Sequence, residues 1–519
     1  MPIITLFQPT PRLGDFPGNL RWLGDAFQAV AAVKQATASD ASTDASSSLY
    51  ANGLPDPFYK FIPLYPALAL SGHSAEGLAH APGFRAAWEQ AIREAAALWP
   101  AGPLPEGMAR LSVPAGERPD LSDSGPAALA SRQGARALLV DAARPYRVGG
   151  PARHEAVVAA FCLRHHVWWL EANLAGAQNE TVMAGGSLVV DPAGAVRARA
   201  AFGRPETLVY ELSPDYATGR LAQGGMAPPP AEPAALHDAL VLATRAYLEG
   251  AGAAGTVLGL SGGIDSAVVA ALAVQALGPD RVTGLTLPSR HTSAETLSDA
   301  HALARNLGIR CPEIGIATLA EEALRLLGPA FAATGPARPP DPEDITGQNL
   351  QARSRMLLLM AYANRHGLIL LNTSNKSEAL AGYGTLYGDM AGGYAPLGDV
   401  YKTEVWDLAR EANRRLGPGV IPQTTIDRPP TAELRPGQKD SDSLPPYDVM
   451  DAILKAVHEG EAPPDPAALA GFPPETVARL AALHRASEHK RRQSPPHPLV
   501  QPSADWHGRR NPVTHQWRP

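Results

Sequence analysis

Cysteine is scarce in this sequence, and its scarcity excludes several classes of protein. Cys162 and Cys311 are the only two cysteines among 519 residues. Two isolated thiols form neither a disulfide framework nor a zinc site, so we expect a reducing, cytoplasmic location. Apolar runs of the ~18 residues needed to cross a membrane are also missing, and the first residues lack the basic and apolar regions of a signal peptide. The formal net charge of −6 argues against nucleic acid as a partner.

What is present predicts an α/β protein of more than one domain. Strand-like and helix-like segments alternate over residues 1–212. Residues 213–233 are rich in proline, glycine and alanine without periodicity, which predicts a linker. The alternation resumes over residues 234–519, where strands separated by helices predict a parallel, doubly wound sheet. Ligands of such sheets bind at the carboxyl ends of the strands.

One of these strand ends carries an unusual turn, "GLSGGIDSA", over residues 259–267. The amides of a glycine-rich turn and the start of the following helix can bind an anion together. Ser261 and Ser266 can donate hydroxyl groups to phosphate oxygens, whereas Asp265 would repel a phosphate unless a cation such as Mg²⁺ lay between them. The turn fits neither the G-x-x-x-x-G-K-[ST] pattern nor the G-x-G-x-x-G pattern. A strand-to-helix turn with glycine for its dihedral angles and a polar cap is the alternative.

The turn resembles the pyrophosphate loop of the ATP pyrophosphatase superfamily, whose members transfer AMP to a carboxyl or carbonyl group. Later stretches resemble one family within it, the NAD+ synthetases, in that family's order over residues 234–511. These stretches are "NLQARSRM", "LNTSNKSEALAGYGTLYGDMAGG", "DVYKTEVW", "RPPTAELRPGQKD" and "EHKRRQSPPHPL". The resemblance implies a C-terminal, doubly wound ATP pyrophosphatase domain of the adenine nucleotide alpha hydrolase-like type. It would amidate deamido-NAD+ through an acyl-adenylate.

The resemblance also implies roles for individual residues. The loop and three later residues would bind ATP and its pyrophosphate: Gly259, Leu260, Ser261, Gly262, Gly263, Ile264, Asp265, Ser266, Thr373, Lys402 and Thr431. Five residues would bind deamido-NAD+: Asn349, Arg353, Glu378, His489 and Lys490. Asp265 and Glu378 would ligate Mg²⁺, although the resemblance also allows Glu378 to contact the ribosyl-nicotinate end of the substrate. No nucleophilic side chain is required, because positioning and charge neutralisation would account for the catalysis.

Residues 1–212 resemble the nitrilase-like α/β sandwich domain that releases ammonia from glutamine in two-domain NAD+ synthetases. The similar stretches are "FQPTPRLGDFPGNL" and "GAQNETVMAGGSLVVDPAGAV". That reaction uses a Glu–Lys–Cys triad. Ala67 stands where the family has its glutamate, Leu121 stands where it has its cysteine, and no lysine occurs over residues 61–375. The sequence therefore predicts a degenerate amidase domain.

From these residues we expect an NAD+ synthetase that takes free ammonia, directly or from a partner glutaminase, as its nitrogen donor. Cys162 lies on an apolar helix face and is expected in the core rather than in a catalytic site. Two alternatives are an ordinary glutamine-dependent enzyme whose triad lies elsewhere and a tRNA-modifying ATP pyrophosphatase. The family resemblance further implies a homodimer or a larger homo-oligomer.

Overall fold

The computed structural model describes residues 2–9, 60–64, 104–113, 119–335, 343–458 and 469–502, with isolated residues between 15 and 94. The chain divides into unit 1, Met1–Ala235, and unit 2, Leu236–Pro519. None of the helices in the described ranges is long and apolar enough to cross a membrane.

Unit 1 contains two larger β-sheets. The first has the strand order β11-β10-β1-β2, in which β1 is parallel to β2 and antiparallel to β10. The second has the order β3-β4-β5-β8-β9, in which the first three strands are parallel and the last two are antiparallel to their neighbours. The strands are β1 Pro2–Gln8, β2 Lys60–Leu64, β3 Met108–Ser112, β4 Ala137–Ala142, β5 Trp168–Asn173, β6 Ala175–Gln178, β7 Thr181–Ala184, β8 Leu188–Val190, β9 Val196–Arg199, β10 Glu206–Leu212 and β11 Gly219–Gln223.

The two sheets share one apolar core. Ile4 and Leu6 of β1 lie on the same face because side chains alternate along a strand, and they pack with Leu139 of β4 and Leu170 of β5. Every residue of β4 and β5 is buried, as is typical of central strands covered on both faces. A second core lies between the five-stranded sheet, which contains β4 and β5, and the helices Pro126–Arg132 and Gly150–His165. Unit 1 is therefore an α/β sandwich, as expected.

Unit 2 is built on a parallel sheet with the order β13-β12-β14. Its strands are β12 Thr256–Gly259, β13 Val282–Leu285 and β14 Ile369–Leu370. Helices connect and cover them, which confirms the predicted parallel α/β architecture. They are Ala234–Gly250, Ile264–Leu277, Ala294–Leu307, Ala317–Thr334, Ile345–His366, Lys376–Ala381, Lys402–Leu416, Gln423–Asp427, Tyr447–His458, Pro474–Ala486 and Glu488–Arg491.

The sequence explains the burial of the helix that follows the turn and the two ends of the next helix. Ten of the fourteen residues of Ile264–Leu277 are buried, so this apolar helix lies inside the unit rather than on its surface. Ser293 caps the next helix by accepting a hydrogen bond from the Thr296 amide, and Gly308 ends it in the left-handed conformation.

One sequence expectation requires correction. Residues 213–233 were expected to form a linker, but β11, Gly219–Gln223, lies inside this segment and pairs antiparallel with β10. The backbone N–H and C=O groups of any segment can pair with a neighbouring strand. The strand β10 can therefore order a segment whose composition favours a loop.

Candidate active site

The glycine-rich turn joins the end of β12 to the helix Ile264–Leu277 at the carboxyl edge of the sheet. Gly262 has a φ of +78°, and a Cβ atom placed on it would lie 2.1 Å from the carbonyl oxygen of Thr296. Only glycine fits such a position, because an L-residue would meet both backbone strain and a steric clash. The turn can therefore bring its backbone close to the start of the neighbouring helix.

The two serines of the turn hold its shape from inside. The Oγ atoms of Ser261 and Ser266 lie 3.2 Å apart, and the Gly263 amide donates to Ser261 Oγ at 3.2 Å. Ser266 Oγ donates to the Gly263 carbonyl at 2.9 Å. Hydroxyl groups, loop amides and the N-terminal end of a fourteen-residue helix converge here, which is the arrangement that binds a phosphate or pyrophosphate.

The turn forms one wall of a cavity of about 290 Å³. Every residue that the resemblance assigned to ATP lines it, namely residues 259–266 together with Thr373, Lys402 and Thr431. Thr431 reaches the cavity from the segment 428–440, and its hydroxyl donates to the carbonyl of Gln438 at 2.6 Å. The fold thus brings together residues that are more than 170 positions apart in the sequence.

A compact charge cluster lies in this cavity. Lys402 donates from Nζ to Asp265 Oδ2 at 2.5 Å and to Glu378 Oε1 at 3.3 Å. Asn375 caps the helix Lys376–Ala381 and also donates from Nδ2 to Asp265 Oδ1 at 2.9 Å. Lys402 is the first residue of its own helix and is only 2% exposed, so its ammonium group is held between the two carboxylates.

The electrostatics of this cluster follow from burial and from neighbouring charges. Burial raises the pKa of Glu378, and the carboxylates of Asp265 and Asp440 raise it further, although Lys402 opposes them. Burial alone would lower the pKa of Lys402, but Asp265 and Glu378 more than offset burial and raise it. Lys402 therefore stays positively charged and can neutralise negative charge in the cavity.

Asp440 is a site residue that the sequence analysis did not assign. It lines the cavity and accepts hydrogen bonds from the hydroxyl of Tyr383 at 3.1 Å and from that of Tyr447 at 2.9 Å. Burial raises the pKa of both tyrosines, and nearby carboxylates add to the effect, so both remain hydrogen-bond donors. The quoted stretch "RPPTAELRPGQKD" ends on Asp440, which was the available signal.

Three further cavity residues were also left unassigned. Arg428 pairs with Asp299 at 2.5 Å and donates to the Gly262 carbonyl at 3.4 Å, so it links the segment 428–440 to the turn. Glu433 accepts from Thr296 Oγ1 at 2.9 Å. Arg355, two positions after the assigned Arg353, lines the cavity.

The remaining residues predicted to bind deamido-NAD+ lie outside this cavity, except for Glu378. Asn349 accepts from Thr385 Oγ1 at 2.8 Å, and Arg353 donates to the Leu386 carbonyl at 3.1 Å. Lys490 donates to the carbonyls of Gly382 and Gly384, both at 2.8 Å, and the neighbouring His489 is exposed. Three of these four thus gather around residues 382–386, which follow the helix that carries Glu378.

The donor set suits Mg²⁺ only if a substrate completes it. Over the described ranges, no group of three or more histidine, cysteine, aspartate or glutamate residues is arranged to hold a metal ion. Asp265 and Glu378 nevertheless offer two carboxylates at the glycine-rich turn. Mg²⁺ is commonly held by one or two carboxylates together with substrate phosphates, so these two side chains are of the type that fits this ion, although in the structure both pair with Lys402.

Of the two residues that stand at expected amidase positions of unit 1, Ala67 and Leu121, the structure describes Leu121. Ala67 lies outside the described residues, and the half-buried Leu121 packs against the core between sheet and helices. Cys162 is completely buried in that core, and burial raises the pKa of its thiol to about 12. As expected, Cys162 is a core residue, because a thiol so placed is neither ionised nor accessible at neutral pH.

Similar proteins are known both for unit 2 and for most or all of the chain. The family model described as NAD synthase matches residues 236–494. A glutamine-dependent NAD(+) synthetase of Rhodobacter capsulatus is 39% identical over 426 residues, which cover 80% of this chain and 75% of that protein. A glutamine-dependent NAD(+) synthetase of Xanthomonas campestris pv. campestris is 37% identical over 517 residues, with coverages of 88% and 92%. The solved glutamine-dependent NAD+ synthetase from Acinetobacter baumannii, in complex with ADP, superposes with a TM-score of 0.68 at 28% identity over 99% of each chain.

Proposed function

We propose that this chain, which belongs to the NAD synthase family and is a carbon–nitrogen ligase of the two-domain type, amidates deamido-NAD+ in an ATP-dependent reaction. In the first step a carboxylate oxygen of the nicotinate attacks the α-phosphorus of ATP, and pyrophosphate leaves. In the second step ammonia attacks the acyl carbon, a C–N bond forms, and AMP leaves with the electron pair of the broken C–O bond. The products are NAD+, AMP, pyrophosphate and one proton.

The observation that supports this proposal most strongly is the charge cluster beside the glycine-rich turn. Ser261, Ser266 and the turn amides would bind the departing pyrophosphate, as the convergence of donors suggests. Lys402 would offset the negative charge that builds on the leaving group, because its ammonium lies in the same cavity as the turn. Thr373 and Thr431 would contact ATP.

Magnesium and the second substrate complete the proposal. Asp265 and Glu378 would hold Mg²⁺, whose charge screens the triphosphate from these carboxylates. Asn349, Arg353, His489 and Lys490 would bind deamido-NAD+ next to the ATP cavity, since three of them contact residues 382–386 and Tyr383 of this segment also lines the cavity. The homodimer or larger oligomer implied by the family resemblance is part of this proposal.

Product analysis tests the reaction directly. The purified chain is incubated with ATP, Mg²⁺, deamido-NAD+ and an ammonium salt, and nucleotides are separated by chromatography. We expect NAD+, AMP and pyrophosphate in equal amounts. ADP in place of AMP, or no product that depends on deamido-NAD+, would refute the proposal. The same assay separates it from the tRNA-modifying alternative, which the comparisons do not support.

The nitrogen donor of the reaction can be inferred from the relatives. The relatives are named glutamine-dependent, which supports glutamine better than the free ammonia expected from the sequence. We therefore propose glutamine as the nitrogen source typical of these relatives. One observation on this chain favours ammonia as a second candidate. Cys162 is the only cysteine of residues 1–235, and it is fully buried with a raised pKa.

Supplying the two donors separately distinguishes these candidates. With glutamine as the sole nitrogen source, a working amidase domain releases one glutamate for each NAD+ formed. With ammonium alone, an enzyme that uses free ammonia makes NAD+ at a rate that rises with pH as NH₄⁺ loses its proton. NAD+ from ammonium without any glutamate from glutamine would rule out glutamine as the donor of the isolated chain.

A further inference from the structure

The helix Lys402–Leu416, which carries the lysine of the charge cluster, begins without a side-chain cap from the residue that precedes it. That residue is Tyr401, whose side chain gives no capping hydrogen bond to the first turn. The first amides of a helix lack partners within the helix and are ordinarily satisfied by such a cap. Here the amides of Lys402 and Thr403 bind acceptors on two other helices instead. The position of this helix start therefore depends on those helices.

Ser377 and Asp451 supply the two acceptors. The amide of Lys402 donates to Ser377 Oγ at 2.8 Å, and the amide of Thr403 donates to Asp451 Oδ2 at 2.8 Å. Ser377 Oγ in turn donates to Asp451 Oδ1 at 2.5 Å. Because both side chains are at most 2% exposed, loss of either would leave a helix amide without an acceptor. The carboxyl group of Asp451 thus holds two consecutive amides, one directly and one through a serine hydroxyl.

Asp451 also belongs to a helix that contacts the charged end of Lys402. It lies on Tyr447–His458, one turn after the first residue of that helix. The centre of the Tyr447 ring lies 5.2 Å from Lys402 Nζ, which is within the range of a cation–π contact. A single helix therefore acts on Lys402 both at its backbone and at its ammonium group.

Ser377 makes a corresponding link on the side of Glu378. These two residues are consecutive in the helix Lys376–Ala381, and Glu378 Oε1 accepts from Lys402 Nζ at 3.3 Å. The amide and the ammonium group of Lys402 thus bind neighbouring residues of the same short helix. A shift of the start of Lys402–Leu416 would therefore change the geometry of the charge cluster.

We propose that Asp451 is a positioning residue of the active site, which acts through Ser377 to place the ammonium group of Lys402, an inference that rests on the proposed function. A cap within the helix would satisfy the same amides, but it would not fix the helix relative to Glu378. Neither Asp451 nor Ser377 lines the cavity, so neither is placed to contact the nucleotide. Their effect on the reaction passes through Lys402, whose displacement by ~1 Å would weaken its interaction with the departing pyrophosphate.

Two alanine variants that act on the same helix provide a matched test. Asp451→Ala removes the acceptor at the start of Lys402–Leu416, whereas Glu411→Ala removes a buried carboxylate that pairs with Arg414 and Arg415 about 14 Å further along the helix. With ammonium as the donor, Asp451→Ala should lower kcat by a factor on the order of 10–10². Its KM for ATP should change less than about threefold, because an interaction specific to the transition state is lost. Glu411→Ala should keep kcat within about twofold of the parent chain.

A double-mutant cycle with Lys402→Met distinguishes positioning from a general loss of structure. If Asp451 acts through Lys402, Asp451→Ala should change kcat of the Lys402→Met chain less than about twofold, because the group that it positions is already absent. A structural defect would lower kcat by the same factor in both backgrounds, and that result would overturn the proposal. An unchanged kcat in Asp451→Ala alone would also overturn it.

Two milder variants keep the inference testable if Asp451→Ala fails to fold. Ser377→Ala removes the hydroxyl that links Asp451 to Lys402 and should lower kcat about 10-fold. Asp451→Asn can still accept from the Thr403 amide and donate to Ser377 Oγ, so its kcat should stay within about threefold of the parent chain. A parent-like kcat in Ser377→Ala, with the fold intact by urea unfolding, would overturn the positioning role. Absence of AMP formation that depends on deamido-NAD+ in the parent chain would refute the proposed function instead.

Discussion

Both units bury charged side chains, but they surround those charges differently. In unit 1, Glu171 is completely buried and accepts from Arg144 at 2.9 Å, from His154 at 2.7 Å and from Trp169 Nε1 at 3.0 Å. In unit 2, Lys402 is almost as well buried, yet it lies in the wall of a cavity of about 290 Å³. The cavity beside Arg144 and His154 measures about 30 Å³, which suits water rather than a substrate.

The surroundings of a buried charged group, closed or open to a cavity, indicate its role. The carboxylate of Glu171 is satisfied by three donors of its own unit, so its desolvation is offset inside the fold. The ammonium of Lys402 is also paired, but its partners face a space large enough for part of a nucleotide. Closed groups of this kind stabilise or specify a fold, whereas groups open to a cavity can act on a ligand. The two sites should therefore respond to mutation in different assays.

The largest expected effect is on activity in unit 2. Lys402→Met removes the positive charge and keeps most of the side-chain volume. We expect NAD+ formation to fall by a factor on the order of 10²–10³, as for the loss of one group that stabilises developing charge. Steady-state kinetics with ammonium as the donor measure this loss. The fold should persist, because Asp265 and Glu378 retain partial solvent access.

Lys455→Met is the matched control. Lys455 pairs with Glu404 at 3.0 Å, is 39% exposed and does not line the cavity. A pair so placed contributes little to stability, so activity should change less than about twofold. Similar losses in both lysine variants would show that the charge cluster has no special role.

The next effect is on stability in unit 1. Glu171→Gln keeps the shape of the side chain but leaves Arg144 buried without its countercharge. Breaking a buried pair typically costs ~3 kcal/mol of unfolding free energy, which urea unfolding measures. Asp123→Asn is the control, because Asp123 and Arg164 form an exposed pair that should contribute less than ~1 kcal/mol. Equal costs in the two variants would contradict the contrast between closed and exposed pairs.

The pH dependence of this effect has a defined sign. Burial alone would raise the pKa of Glu171, but His154 and Arg144 together lower it below its ordinary value. A carboxyl whose folded-state pKa is lowered contributes stability above its unfolded pKa of about 4.3, and this contribution is lost as the pH falls through the folded-state pKa. The stability difference between the parent chain and Glu171→Gln should therefore shrink below about pH 4. An unchanged difference at low pH would contradict this assignment.

The sequence predicted the parts of the molecule that depend on local signals. The glycine-rich turn joins the strand β12 to the helix Ile264–Leu277, as its position at a strand end indicated. The residues of the turn were recognisable because glycine, serine and aspartate occur together in nine positions. Local patterns sufficed because caps, turns and periodic apolar faces are set by near neighbours.

Contacts between distant segments could not be read in this way. Asp440 and Arg428 reach the cavity only because the segment 428–440 lies against the turn and the helix Ala294–Leu307. The strand Gly219–Gln223 exists because β10 offers it a paired edge, and its composition alone favours a loop. In each case the decisive partner is supplied by the tertiary structure.

The smallest expected effect tests whether the shape of the turn, apart from its charges, matters for activity. Gly262 and Gly252 both have positive φ, so an alanine at either position carries a similar backbone strain of ~1–2 kcal/mol. Only at Gly262 would the new Cβ meet the Thr296 carbonyl, whereas nothing lies within 4 Å at Gly252. Gly262→Ala should displace the turn and reduce kcat about 10-fold, because small displacements of binding groups are costly to catalysis. Gly252→Ala should leave kcat unchanged while lowering the midpoint of thermal unfolding. Equal kcat values in the two variants would show that the shape of the turn does not affect catalysis.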